Sequence, residues 1–377
     1  MNIILQTKID NDINRWRVGS WAGRFVAMAA IFICLALAFH FLSDGLFISP
    51  RNITLLSRQA AIAMLLAAGV SILIVMGEID LSIGSAVYLC SIVAASAQSM
   101  YGWDTVTAVA VTIVTGIVLG AWNGVLVTRI GVPSFVATLA GLLAFRGLGY
   151  YLTDAATISP MAPSFVNISE GFVPVVTTMS IIGVMAAASI LYVLTRIRRG
   201  RPLMCLLVLV VAGISAWAFG GYRGIPMAIV VVLSFGVVLS VVMHRTVFGR
   251  NSYVVGSNRE AAKLAGISVQ RNIFAGFVVM GALYGVAAVL MTARLDGATP
   301  TAGTYMELDA IAGAVIGGTS LRGGIGTIGG ALVGALLLVT IDNGMSLLNV
   351  SSFVQMVVKG LVLLVAVAFD TFVSSKK

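Results

Sequence analysis

Residues 249–273 read GRNSYVVGSNREAAKLAGISVQRNI. This is the longest polar interruption between two long apolar segments, and it carries Arg250, Arg259, Glu260, Lys263 and Arg271 in a chain that is only 10% charged. Within it, SNREAAKLAGI has the pattern of a short amphipathic helix ended by Gly266. The flanking segments, about 225–243 and 273–292, are each long enough to cross the ~30 Å hydrocarbon core of a bilayer. A chain that keeps one charged helix in water between two membrane spans uses it to touch another protein. The reading that follows is an all-α, polytopic membrane fold.

Composition agrees. The 377 residues are 59% hydrophobic, with a mean hydropathy of +1.05, well outside the range of a soluble domain. The 41 glycines suit close helix packing in lipid. The net charge of +9 sits mainly in short loops between apolar runs, which marks cytoplasmic faces rather than a nucleic-acid surface. Cys34, Cys90 and Cys205 lie inside apolar runs without metal-ligand spacing and read as inert thiols.

Outward from the opening stretch, residues 1–21 are polar and form a cytoplasmic N-terminal segment; residues 22–377 form a single transmembrane domain. The first span, about 22–42, is an uncleaved anchor. An outer loop over 43–58 precedes a second span at about 59–77, which stops at GEIDLSIGS, residues 77–85. Further spans cover about 81–100, 105–128, 135–152, 176–195, 203–219 and 225–243, with the loop 244–272 in the cytoplasm. In the outer loop 153–175, Pro160, Pro163 and Pro174 argue against regular structure. RIRRGR, residues 196–201, pins its turn inside. Arg146, near the outer end of its span, reads as a snorkelling or helix-contact side chain, with a pathway role as the alternative. Residues 307–337 are apolar but studded with glycine, including Gly313, Gly317 and Gly318. They read as a broken or re-entrant pair, tolerated where the backbone is buried in protein or lines a cavity. A last span at about 352–372 returns to Lys376 and Lys377 inside. The total is about 10 to 12 crossings, with both termini cytoplasmic.

The two halves share short matches in the same order. Glu78, Asp80 and Gly84 form E-x-D-x-x-x-G, as do Glu307, Asp309 and Gly313. Asn123-Gly124 answers Asn343-Gly344, and Ser134 to Val136 answers Ser352 to Val354. An odd number of crossings separates these halves, about 59–152 and 273–372, so the second copy is inverted, an arrangement common in transporters. The four carboxylates lie at ends of apolar runs. They fit either helix N-terminal positions or intramembrane ion or proton sites. Asn123 and Asn343 are candidates to line a translocation path, alongside Trp103, Trp122 and Trp217.

No catalytic constellation is visible. His40 and His244 sit near opposite membrane faces, and no lysine follows a glycine, which excludes a P-loop. No metal site and no cofactor are expected on this chain.

GEIDLSIGS, VPSFVATLAGLLAFRG, FGRNSYVVGSNREAAKLAGI and TAGTYMELDAIAGAVIGGTSLRGGIGTIGGALVGA together resemble the permease subunits of bacterial ABC sugar importers, the ribose, galactose, arabinose and xylose group. The resemblance extends from about residue 40 to the end. ISP at 158–160, YRGIP at 222–226, DNGMSLL at 342–348 and the extra apolar pair around RIRRGR are most similar to the xylose branch. One departure is Glu78, where many members carry glycine. The resemblance implies a fold like the vitamin B12 importer, with a homodimer in the bacterial inner membrane and a periplasmic sugar-binding protein on its outer face. It also implies a separate ATPase subunit that binds ATP and magnesium. Membrane lipid is a further expected partner, and nucleic acid is not one. It places the coupling helix at Gly256, Asn258, Arg259, Glu260, Ala261, Ala262 and Gly266, with Arg259 and Glu260 available to charges on the ATPase. The expected cargo is D-xylose; ribose, another small polar solute, or ion-coupled secondary transport are the alternatives.

Overall fold

The computed structural model describes residues 30–196 and 201–375. The cytoplasmic segment expected at 1–21, the start of the first span, most of the RIRRGR turn and the terminal lysines lie outside the described residues. Helices make up the described chain: α1 (Ala30–Leu42), α2 (Pro50–Val75), α3 (Ile83–Ala95), α4 (Thr105–Val125), α5 (Ser134–Thr153), α6 (Pro163–Glu170), α7 (Val175–Arg196), α8 (Arg201–Gly220), α9 (Met227–Arg245), α10 (Val247–Ser257), α11 (Arg259–Leu264), α12 (Val269–Leu295), α13 (Met306–Ile316), α14 (Ile328–Leu347) and α15 (Ser352–Ser375). The β-pairing among these residues is confined to isolated bridges, Ile158 with Ala298 and Phe172 with Pro226. Among the described residues, eight helices are long and apolar enough to cross a membrane, and three shorter apolar ones accompany them.

Two expectations are corrected. α2 starts at Pro50, not near 59, because Ser49 caps it by accepting from the Asn52 amide at 3.3 Å and proline suits the first helical position. Arg58 is therefore inside a helix, where it pairs with Glu170 and stacks over Phe172, 5.6 Å from the ring centre. Both partners are distant in sequence. The outer loop does hold regular structure: α6 begins at Pro163, again at the first position, and buries Phe165.

α2 is the most buried of the spans. It packs on α12, α13 and α14 rather than on its sequence neighbours, while α12 packs on α2, α3 and α4. The first helix of each half is thus covered by the other half. α2 and α12 run antiparallel, since Met76 meets Gly276 and Asn272 while Gly69 faces Met280 and Leu283. α5 lies along α3, and α15 lies along α13. This exchange fits two repeats related by a twofold axis in the membrane plane. The α7–α8 hairpin stands at the periphery and reaches the core through α8 against α2.

The tightest contact joins α4 to α12. Gly116, Gly120 and Gly124 sit four residues apart on α4 and face Phe277, Gly281 and Gly285. At Gly116 and Gly120 the two backbones touch without side chains between them, as small residues at this spacing allow, while Gly124 receives the Phe274 and Phe277 side chains.

Candidate functional site

The polar stretch between α9 and α12 folds as two helices. α10 was not foreseen; Thr246 caps it by accepting from the Gly249 amide at 3.3 Å. Asn258 is extended and its side chain accepts from the Ala261 amide at 3.0 Å, starting α11. Gly266 ends it with φ +75°. The Gly266 amide then donates to Lys263 and the Ile267 amide to Ala262, both at 2.9 Å, which satisfies the last carbonyls in a Schellman arrangement. Ala262 faces inward and is fully buried, so it anchors the helix rather than approaching a partner. Ala261 is exposed. Glu260 pairs with Lys263 at 2.8 Å in full view of solvent, an interaction worth little. Leu264 is 90% exposed at the tip. Beside it opens a groove of about 460 Å³ lined by Lys263, Gly266, Ile267, Ser268, Val269 and Gln270.

This loop is seated on the ends of other elements. Gly256 fits against the Val75 carbonyl and the Gly324 amide, where a Cβ would overlap both. Arg259, expected to reach a partner protein, is 47% exposed and also makes contacts within the chain: its Nη2 donates to Glu78 Oε1 at 2.6 Å and to the Met76 and Gly77 carbonyls at 3.3 and 3.4 Å. Glu78 is only 4% exposed, and an arginine stem long enough to reach it supplies the opposite charge that a buried carboxylate needs.

Residues 76–82 form the break between α2 and α3. Irregular backbone at this depth needs hydrogen-bond partners, and α5 provides them. Ile79 N donates to Ser134 Oγ at 3.2 Å, Leu81 N donates to Thr138 Oγ1 at 3.0 Å, and Thr138 Oγ1 donates to the Ile79 carbonyl at 3.3 Å. Asp80 is fully buried and accepts from Tyr284 Oη, from Ser82 N at 2.8 Å and from Ser82 Oγ at 2.7 Å. Asn123 Nδ2 donates to Ser82 Oγ at 2.8 Å, so helices α3, α4 and α12 meet at one polar knot. Tyr284→Phe removes the donor from α12 and is expected to destabilise the protein by about 1.5–3 kcal/mol, the range for a hydrogen bond to a charged group. Thermal unfolding of the purified protein in detergent measures this, and an unchanged midpoint would show that Asp80 does not need the hydroxyl.

A non-helical loop follows α12. Gly303, at φ +74°, and Gly84 touch backbone to backbone, with Glu307 beside them. Arg146 donates to the carbonyls of Pro300 at 3.3 Å and Ala302 at 2.7 Å and lies over Tyr88, 4.9 Å from its ring centre. It holds this loop from α5, which is the helix-contact reading. Glu307 and Asp309 occupy the first turn of α13, where the helix dipole favours them. Asp309 also accepts from Lys359 at 3.0 Å, and Lys359 reaches Asp342 at 2.8 Å, tying α13, α14 and α15 together. Residues 317–327 form the second break, between α13 and α14, as the glycine pattern requires: Gly313 packs on Ala335, Gly317 on Gly330, and Gly318 has φ +91°. Asn343 is buried and bonds Asn52 in both directions, at 2.9 and 3.2 Å. Asn123 and Asn343 thus both lie at buried helix contacts within this chain.

A family described as "Branched-chain amino acid transport system / permease component" matches residues 52–367. The chain belongs to this permease family. It is 39% identical over 361 residues to the xylose transport system permease protein XylH of Escherichia coli K12, covering 92% of this chain and 91% of that one. The corresponding protein of Haemophilus influenzae is 37% identical over 366 residues, covering 94% and 96%. The ribose import permease protein RbsC of Bacillus subtilis is 36% identical over 366 residues, covering 97% and 96%. No solved structure matches.

For this permease, the structural roles of four side chains were not read from the sequence, although Ser134 stood out there as part of the repeat. Ser134 and Thr138 are four apart on one helix face, a spacing that could have marked them as partners for broken backbone. Leu264 hides as an ordinary apolar residue in SNREAAKLAGI. Tyr284 gives no local signal, because Asp80 is distant in sequence.

Proposed function

We propose that this permease is the transmembrane subunit of an ATP-driven importer that carries D-xylose across the bacterial inner membrane. The observation that carries the reading is similarity along nearly the whole of both chains to proteins named as xylose transport system permeases. The permease has no nucleotide chemistry of its own. A separate ATPase subunit binds ATP and magnesium and docks on α11 from the cytoplasm, where both termini also lie. A periplasmic sugar-binding protein delivers the cargo on the opposite face. Two copies form the working membrane unit, with the arrangement of the vitamin B12 importer expected from the resemblance. The open apolar faces of α5 and α15, with Phe135, Leu139 and Leu143 on one and Phe353, Val357 and Leu361 on the other, support a second copy or lipid beside them.

Uptake of labelled D-xylose into proteoliposomes containing the permease, the ATPase and the binding protein tests this. Uptake should require hydrolysable ATP on the cytoplasmic side and survive collapse of the proton gradient. A preference for ribose would move the cargo to the second reading, which the similarity to the ribose permease favours. Loss of uptake on collapsing the gradient while ATP persists would replace ATP drive with ion coupling.

A further inference from the structure

We infer that the α10–α11 loop acts on both helix breaks at once, through Arg259 on the first and Tyr253 on the second. The inference rests on the ATP-driven reading, since it specifies how movement of the loop enters the membrane domain.

Three contacts converge at this end of the molecule. Arg259, the first residue of α11, bridges to Glu78 at 2.6 Å and to the carbonyls of Met76 and Gly77, the residues where α2 gives way to the break. Tyr253, on α10, donates its hydroxyl to the Gly326 carbonyl at 2.9 Å, inside the second break. The second break also joins the end of α2, where the first break starts, because the Gly324 amide donates to the Val75 carbonyl at 2.8 Å. Gly256 lies over this joint with no room for a side chain. The loop therefore touches repeat one by an ion pair, repeat two by a hydroxyl, and the seam between them by bare backbone.

A broken helix is the place where a small displacement becomes a rotation. It lacks the continuous ladder of hydrogen bonds that makes a helix rigid. The first break contains Asp80, which is held by Tyr284 of α12, and leads on to α3. From the second it passes to Thr327, the cap of α14. A shift of the α10–α11 loop is thus transmitted to the first helix pair of one half and the third helix of the other. Arg259 also sits where a cation stabilises the C-terminus of α2. A role limited to that would change the stability of the protein but not the number of sugars carried per ATP.

That ratio is the test. The complete transporter, reconstituted in proteoliposomes with its ATPase and binding protein, is assayed for xylose taken up per ATP hydrolysed in response to sugar. Glu78→Gln keeps the size and an acceptor but removes the charge that Arg259 holds; Tyr253→Phe removes one hydroxyl. Each is expected to lower the ratio, by about five- to tenfold for Glu78→Gln and about twofold for Tyr253→Phe, the scale of changes along a coupling route. Because uptake is scored per ATP, a smaller amount of folded protein does not mimic the effect. Wild-type ratios in both variants would overturn the inference, and a fall in only one would overturn the claim that both breaks are driven. A wild-type complex with no ATP-driven uptake would instead remove the importer reading itself.

Discussion

Gly120→Val is expected to leave almost no folded permease in the membrane. Gly120 lies where α4 meets α12, and a Cβ there would come within 2.6 Å of Gly281 Cα and 2.9 Å of its amide nitrogen. Those atoms are backbone of a buried helix, so no side chain can swing aside. The reciprocal position is as tight, since a Cβ on Gly281 would come within 2.9 Å of Gly120 Cα. Valine would have to push the helices apart along a seam that also contains Gly116 and Gly285. Overpacking a core costs about 1–3 kcal/mol even when side chains can give way, and more when they cannot. Set against a total stability of about 5–15 kcal/mol, a backbone clash at the joint between the two halves is close to decisive. The measurement is the monodisperse fraction after detergent extraction. Gly147→Ala, at a helical position with open space around it, serves as the control. A Gly120→Val protein that extracts and melts like wild type would mean that α4 and α12 are not packed in this way.

Leu264→Asp is expected to abolish useful binding of the ATPase while leaving the membrane domain intact. Leu264 projects from a helix that is fixed from below by buried Ala262 and capped at both ends. An exposed side chain without contacts contributes little to folding, within about 0.5 kcal/mol either way. An apolar knob beside a groove, placed on a charged loop of an apolar protein, has the character of an interface anchor. Losing such an anchor costs about 2 kcal/mol or more, a weakening of roughly thirtyfold. Titration of purified ATPase onto detergent-solubilised permease reads the affinity directly. The comparison is Lys263→Ala, which removes an exposed ion pair and should weaken binding by well under tenfold. Equal affinity for Leu264→Asp and wild type would remove α11 as the docking element.

Much of the architecture was legible because lipid imposes simple arithmetic. Spans show as long apolar runs, and the glycine-studded stretch after residue 307 could not be one unbroken helix. The end of α11 was legible because Gly266 is the residue type that takes a positive φ without penalty. What escaped was long-range pairing. Arg58 read as a loop residue because Glu170 is 112 positions away, and nothing local marks the pairing of Arg259 with Glu78, 181 positions away. A charge beside an apolar run looks the same in the sequence whether it faces water or a buried partner. The prolines of the outer loop misled for a different reason. Pro163 marks the beginning of α6, and a proline gives the same local signal whether it opens a helix or prevents one.

The exchange of partners between the halves also sets a schedule. α2 is the best covered helix of the finished protein, yet the elements that cover it, α12, α13 and α14, are the last third of the chain to be made. Synthesis runs from the N-terminus at about 5–20 residues per second, so Asp80 waits roughly ten to forty seconds before Tyr284 exists. Glu78 waits nearly as long for Arg259. During that interval a newborn chain holds two carboxylates at the end of an apolar helix with neither partner available. The half that is translated first is therefore the half most in need of shelter, and the insertion machinery that receives it must tolerate an unfinished fold until the second half arrives to close it.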